Sequence, residues 1–256
     1  MPALTVSHIR EQYQAKNGET LALRDVTFTV ETGEFVSIVG PSGCGKSTLL
    51  SIIAGLLKPT SGQVLVNETV VSGISPHVGY MLQKDNLLSW RTIYKNVLFG
   101  LEIQNRLTPE SVDRADRLLK TYGLWEFRHN YPHQLSGGMR QRAALIRTLA
   151  TNPSILLLDE AFSALDYQTR LQVTQDVYRI LKQENMTAVM VTHDIPESIS
   201  MGDRVIILSE RPAVVQEILD IHFDLPVRTP LSCRKCPEFS RYFDHIWKGL
   251  KTDETL

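Results

Sequence analysis

Gly40-Pro41-Ser42-Gly43-Cys44-Gly45-Lys46-Ser47 satisfies the pattern G-x-x-x-x-G-K-[ST], and its flanks are those the pattern requires. Before it, Phe35-Val36-Ser37-Ile38-Val39 is a short, apolar, β-branched run that predicts a buried strand. After it, Leu49, Leu50, Ile52, Ile53, Leu56 and Leu57 recur at helical spacing until Pro59 and Gly62 close the segment. Strand, glycine loop and helix in that order form a phosphate cradle. The glycines let consecutive backbone N–H groups turn inward, and the helix N-terminus adds the positive end of its dipole. Lys46 is expected to reach the β- and γ-phosphates of a nucleotide and Ser47 to ligate Mg²⁺. Gly40, Pro41, Ser42, Gly43, Cys44, Gly45 and Thr48 complete the expected binding loop. Cys44 lies within this stretch, which predicts that a thiol reagent inhibits through it and that bound MgATP protects.

Two further apolar runs place polar residues where open α/β sheets bind ligands. Ile155-Leu156-Leu157-Leu158 leads into Asp159-Glu160, and Ala188-Val189-Met190-Val191 leads into Thr192-His193-Asp194. An Asp-Glu pair alone is more often a solvated surface feature. Behind four consecutive aliphatics, that reading would leave two charges at a buried strand end without partners. Asp159 is therefore expected to hold Mg²⁺. Between Asn86 and Asn152 strand signals fade and helical ones dominate, with Glu110 to Tyr122 and Gly137 to Ala150 the best candidates. Ser136, in Leu135-Ser136-Gly137-Gly138-Met139-Arg140-Gln141-Arg142, is placed to cap the second of these helices. Its bare N–H groups then suit an anion.

Those motifs, in that order, resemble the ATP-binding cassette family, whose signature is Leu-Ser-Gly-Gly-Gln or a close variant. The resemblance runs from Leu4 to about Ile221. It implies an α/β fold, a P-loop NTPase (RecA-like) core with an antiparallel β subdomain and an inserted α-helical subdomain. Residues 1–225 would form the ATPase domain, with the helical insertion at about 86–152, and residues 226–256 a short, helical C-terminal tail. The resemblance implies Gln83 as the glutamine that senses Mg²⁺ and the membrane subunit. Glu160 becomes the base or water-positioning group and His193 the switch histidine on the γ-phosphate. Tyr13 resembles the aromatic that stacks on adenine, a contact typically worth ~1–3 kcal/mol in other base-binding proteins. Two subunits would sandwich two ATP molecules, so Ser136, Gly137, Gly138 and Asp166 would meet the nucleotide of the partner.

Two departures from the family pattern are Ala161, where Pro commonly follows the catalytic Glu, and Met139, where the signature commonly has Gln. Neither argues for a degenerate site, because Lys46, Asp159, Glu160 and His193 are all present. A finer resemblance, to the nitrate, sulfonate and taurine importers, rests on Asp85-Asn86-Leu87-Leu88-Ser89-Trp90-Arg91-Thr92, on Ile199-Ser200-Met201-Gly202-Asp203-Arg204-Val205 and on Glu210-Arg211-Pro212. That group usually has Pro where Ser89 stands. A cassette not fused to membrane helices implies an importer with separate permease subunits and a solute-binding protein. Arg91 is expected to dock its guanidinium into the permease.

The bulk numbers agree with this reading. A formal net charge of -1 over 256 residues supplies no basic footprint for nucleic acid. No apolar run approaches the ~18 residues needed to span a bilayer, and the N-terminus lacks a signal pattern, so the expected place is the cytoplasm, peripheral on the inner face of the membrane. Three cysteines do not make a disulfide framework. Cys233 and Cys236 read either as incidental tail residues or as half of an intersubunit metal site. The alternative function is a soluble cassette ATPase without a permease. A metabolic P-loop kinase would not need Leu135 to Gly138.

Overall fold

The computed structural model describes residues 1–15 and 18–250; the last six residues of the expected tail lie outside the described residues. In chain order the elements are β1 (Pro2–Ala15), β2 (Gly18–Glu31), β3 (Phe35–Val39), α1 (Lys46–Ile53), β4 (Ser61–Val66), β5 (Thr69–Val70) and β6 (Val78–Met81). The chain continues through α2 (Ile93–Ile103), α3 (Pro109–Thr121), α4 (Gly137–Ala150), β7 (Ile155–Asp159), α5 (Tyr167–Gln183), β8 (Thr187–Val191) and α6 (Ile195–Met201). It ends with β9 (Arg204–Leu208), β10 (Ala213–Asp220), α7 (Pro230–Cys233) and α8 (Pro237–Leu250).

Among the described residues, ten strands join one sheet in the order β5-β4-β1-β2-β10-β9-β3-β8-β7-β6. One end is antiparallel: β1 pairs with both β2 and β4, and β4 with β5. The other end, β9-β3-β8-β7-β6, is wholly parallel. The difference is written in the patterning. β2 alternates buried and exposed residues along Val26 to Glu31, as a strand with one wet face does, whereas every residue of β3 and β8 is buried. Parallel strands need crossovers, and α1 to α6 supply them and cover the sheet.

Three apolar clusters result. One joins α1 to β3, β7 and β8 and to the antiparallel strands. A second, on the opposite face, gathers α2 to α5. The third packs α6, α7 and α8 on β9 and buries Cys233 and Ile246 completely. Residues after 225 are thus bonded into the body of the fold: the Arg228 guanidinium donates to Asp203 at 3.0 Å, and Tyr242 accepts from the His222 N–H at 3.0 Å.

Helix α1 ends earlier than its apolar spacing suggests. It buries Leu49, Leu50, Ile52 and Ile53, each worth roughly 1.5–3 kcal/mol. It then stops at Ala54, because Gly55 turns left-handed at φ 71°, where a side chain would lie 1.9 Å from the Gly73 carbonyl oxygen. Leu56 is consequently 55% exposed. The glycine, and not the later proline, breaks the helix.

Candidate functional site

Register assembles the site. Ile38 pairs with Val191 and Asp159 also pairs with Val191, so β3, β8 and β7 end level with one another. The three loops that leave them, carrying Lys46, His193 and Glu160, therefore open on the same edge of the sheet. They line one cleft of about 510 Å³, formed by Ser42, Gly43, Gly45, Lys46, Ser47, Thr48, Glu160 and His193.

The cradle follows from local chemistry. Gly43 and Gly45 stand at φ 75° and 118°, values that side chains rarely tolerate. Gly45 caps α1 with no side-chain hydrogen bond, so the first N–H groups of that helix have no side-chain partner. Lys46 is buried and donates from Nζ to the carbonyls of Gly40 and Pro41 at 2.8 and 2.9 Å. This bends the loop around its own cation. Tyr13 reaches the same end, its hydroxyl 3.1 Å from Thr48 Oγ1, with 42% of its surface exposed. A flat, accessible ring beside the cradle is what a purine base needs.

Beside the cleft, Ser47 Oγ donates to Asp159 Oδ1 at 3.2 Å and the Tyr80 hydroxyl donates to Asp159 Oδ2 at 3.0 Å. Tyr80 escaped the sequence reading, since a tyrosine inside a strand ordinarily packs. Burial and then the Asp159 charge push its hydroxyl pKa up, which keeps it a donor. Glu160 follows at φ 46°, its N–H held by the Val191 carbonyl at 2.9 Å, and its Oε2 lies 3.3 Å from His193 Nδ1. Gln83 donates to Ser163 Oγ at 3.0 Å, and Ser163 donates to the Glu160 carbonyl at 2.9 Å. Beneath His193, Thr192 donates to the buried Glu197 at 2.5 Å. Burial, opposed by that bond, pushes the Glu197 pKa up to about 7.

The donor set fits a magnesium nucleotide. Ser47 and Asp159 put a hydroxyl and a carboxylate together beside the cradle, the pairing a hard cation takes. A side chain at Gly43 would stand in open space at the loop.

Signature residues lie elsewhere. Ser136 caps α4, accepting from the Met139 N–H at 3.3 Å, and Asp166 caps α5, accepting from the Thr169 N–H at 3.1 Å. Neither these two nor Gly137 and Gly138 line the cleft. Gly138 has no room for a side chain, which would meet Val173 at 2.9 Å.

Two expectations are corrected. Cys44 does not open its sulfur to the cleft: it is 1% exposed and packed beneath the loop, its Sγ accepts from Lys46 Nζ at 3.9 Å, its N–H donates to the Pro41 carbonyl at 3.3 Å, and burial, opposed by the Lys46 charge, raises its thiol pKa. Thiolate chemistry at Cys44 is thus disfavoured twice. Titration of the folded protein with an aromatic disulfide reagent is expected to modify Cys236, which is partly exposed, and to reach Cys44 and Cys233 only after unfolding. Rapid reaction of Cys44 in the native protein would contradict the burial. Nor is Arg91 free to dock its guanidinium. It pairs with Glu102 at 2.5 Å and lies 4.9 Å from the centre of the Phe99 ring. The neighbouring Trp90, at 72% exposure, is the side chain that projects.

Among the described residues no helix is long and apolar enough to cross a membrane. The family model described as ABC transporter matches residues 23–163. The uncharacterized ABC transporter ATP-binding protein YtlC of Bacillus subtilis is 48% identical, with 99% of this chain and 98% of the relative covered. The nitrate import ATP-binding protein NrtD of Synechocystis is 39% identical over 98% and 97%. The taurine import ATP-binding protein TauB of Roseobacter denitrificans is 36% identical over 93% and 90%. A dimeric, post-hydrolysis structure of the ATP-binding cassette MJ0796 bound to ADP and Pi superposes with a TM-score of 0.71 at 33% identity, covering 86% of this chain and 99% of that one. With the P-loop cleft, the capped signature helix and these likenesses together, the chain belongs to the ABC transporter family and is one of its ATPase cassettes.

Proposed function

We propose that the chain energises an importer for a small oxyanion such as nitrate, a sulfonate or taurine. In this reading it works as a dimer on the cytoplasmic face of a membrane permease fed by a solute-binding protein. The observation that carries the dimer is the separation within one chain: Lys46, Glu160 and His193 line the nucleotide cleft, while Ser136, Gly137, Gly138 and Asp166 do not. A second copy supplies the missing wall, as the dimeric MJ0796 cassette supports. Residues 1–225, with the helical insertion at 86–152, are read as the ATPase domain and residues 226–256 as its tail. The cargo rests on the names of the nitrate and taurine relatives.

The chemistry follows from the cleft. Gly43, Gly45 and the α1 N-terminus would hold the phosphates, with Lys46 offsetting their charge and Tyr13 under the base. Ser47, Asp159 and Gln83 would hold Mg²⁺, which when bound neutralises charge on the transferred phosphoryl oxygens. Glu160 would orient a water and take its proton, and His193, within reach of Glu160, would fix the γ-phosphate. Closure on ATP and reopening after hydrolysis would be the output to the permease.

Affinity purification from membranes in mild detergent is expected to bring down a polytopic permease, and deletion of the gene to abolish uptake of labelled nitrate or an alkanesulfonate. Recovery of the cassette without any membrane protein would favour a soluble ATPase. Loss of amino-acid or metal uptake instead would overturn the cargo.

A further inference from the structure

Arg170, on the first turns of α5, touches neither the P-loop nor the cleft, yet it joins two loops that do different work. Its Nη2 donates to the Leu165 carbonyl at 3.0 Å, and its Nη1 pairs with Asp194 Oδ2 at 3.2 Å. Leu165 precedes Asp166, and its Cδ2 lies where a side chain on the signature glycine Gly137 would come within 3.3 Å. Asp194 follows His193. Its other oxygen accepts the Glu197 N–H at 2.9 Å, and its own N–H donates to Thr192 Oγ1 at 3.0 Å. One planar guanidinium therefore grips the loop beside the signature and the loop that carries the switch histidine.

Resting on the two-subunit reading above, we propose that Arg170 is a positioning residue that couples the two nucleotide sites of the dimer. The signature side of a subunit would face its partner's nucleotide and His193 its own. A shift of Leu165 on the partner's ATP then reaches His193 through a rigid lever and not through solvent. Arginine suits the role, because a fork with separate N–H groups holds two acceptors in fixed directions, whereas an ammonium is a point charge on a flexible stem. The Arg170 Nε is buried without an acceptor, so the hydrogen bonds that fix the guanidinium are those to the two loops.

Steady-state ATPase measurements on the full chain test this. Arg170→Gln is expected to lower kcat by about 10- to 100-fold, the scale of an angstrom-level misplacement of a catalytic group, with KM for ATP within about twofold of wild type. The Hill coefficient for ATP, raised above one by coupled sites, is expected to fall to one. Arg170→Lys should recover part of kcat without recovering the Hill coefficient. Asp194→Asn keeps a good helix cap while removing the ion pair, so it serves if Arg170 variants fold poorly. It should reproduce the loss, and the Arg170→Gln/Asp194→Asn double variant should lose no more than the worse single variant.

Unchanged kcat and Hill coefficient in folded Arg170→Gln would overturn the proposal, as would multiplicative losses in the double variant or a loss confined to KM. A wild-type chain that hydrolyses ATP with no cooperativity would overturn the coupling while leaving the ATPase reading intact. A Glu160→Gln chain that binds ATP yet stays monomeric would overturn the dimer itself.

Discussion

Glu160→Gln is expected to lower ATP turnover by about 10²–10⁴-fold while ATP affinity stays near wild type. The substitution preserves the shape of the side chain and removes the carboxylate. Its backbone is held by the Val191 carbonyl independently of the side chain, so the loop should stay where it is. Bound nucleotide then remains uncleaved between Lys46 of one subunit and Ser136 of the other, trapping a dimer that ADP does not sustain. Ser136→Arg in the same background should abolish that dimer, because a bulky cation replaces the small cap of α4 at the contact. Size-exclusion chromatography with light scattering, run with ATP and with ADP, decides the matter. An ATP-bound Glu160→Gln chain that stays monomeric at high protein concentration would sink the sandwich.

Lys46→Ala should fail at an earlier step. The Nζ does two things at once: it is a buried cation at the cleft and it staples the Gly40 and Pro41 carbonyls. Alanine removes the charge opposite the phosphates and also leaves those two carbonyls without that donor. Hydrogen bonds to charged groups are worth about 1.5–3 kcal/mol each, so ATP binding should weaken by about 10²-fold or more, and turnover should become undetectable. Fluorescent-nucleotide titration beside an ATPase assay separates the two variants: Glu160→Gln binds and does not cleave, Lys46→Ala does neither. Wild-type turnover in Lys46→Ala would remove the cradle assignment.

What could be read before the structure was what chemistry makes local. Gly43, Gly45, Lys46 and Ser47 work within one turn of chain, and their spacing is itself the geometry. The runs Phe35 to Val39 and Ile155 to Leu158 declare buried strands because they are short, unbroken and apolar, the first closed by Gly40 and the second opened after Pro153. The α4 cap was legible for the same reason. Illegible were contacts set by register and by loop handedness. Tyr80 meets Asp159 because β6 lies beside β7 with Tyr80 opposite Leu157, a pairing between residues 77 positions apart. Cys44 turns into the core because the left-handed glycines on either side of it set the direction of its side chain, which no composition rule conveys. The ties of Arg140 to Asp85 and of Arg147 to the carbonyls of Asp85 and Asn86 fasten the segment after Gln83 to α4. They too span far more chain than a pattern can see.

With Glu160 as the base proposed above, its left-handed backbone, at φ 46°, puts folding and catalysis at odds at a single position. A non-glycine residue in that region costs roughly 1–2 kcal/mol, which glycine would largely recover and asparagine in part. Mutagenesis screened on thermal resistance alone would therefore tend to enrich glycine at 160 and return robust chains that have lost their carboxylate. For this chain, endurance on heating is a poor proxy for competence, and a library meant to harden it should hold residue 160 fixed.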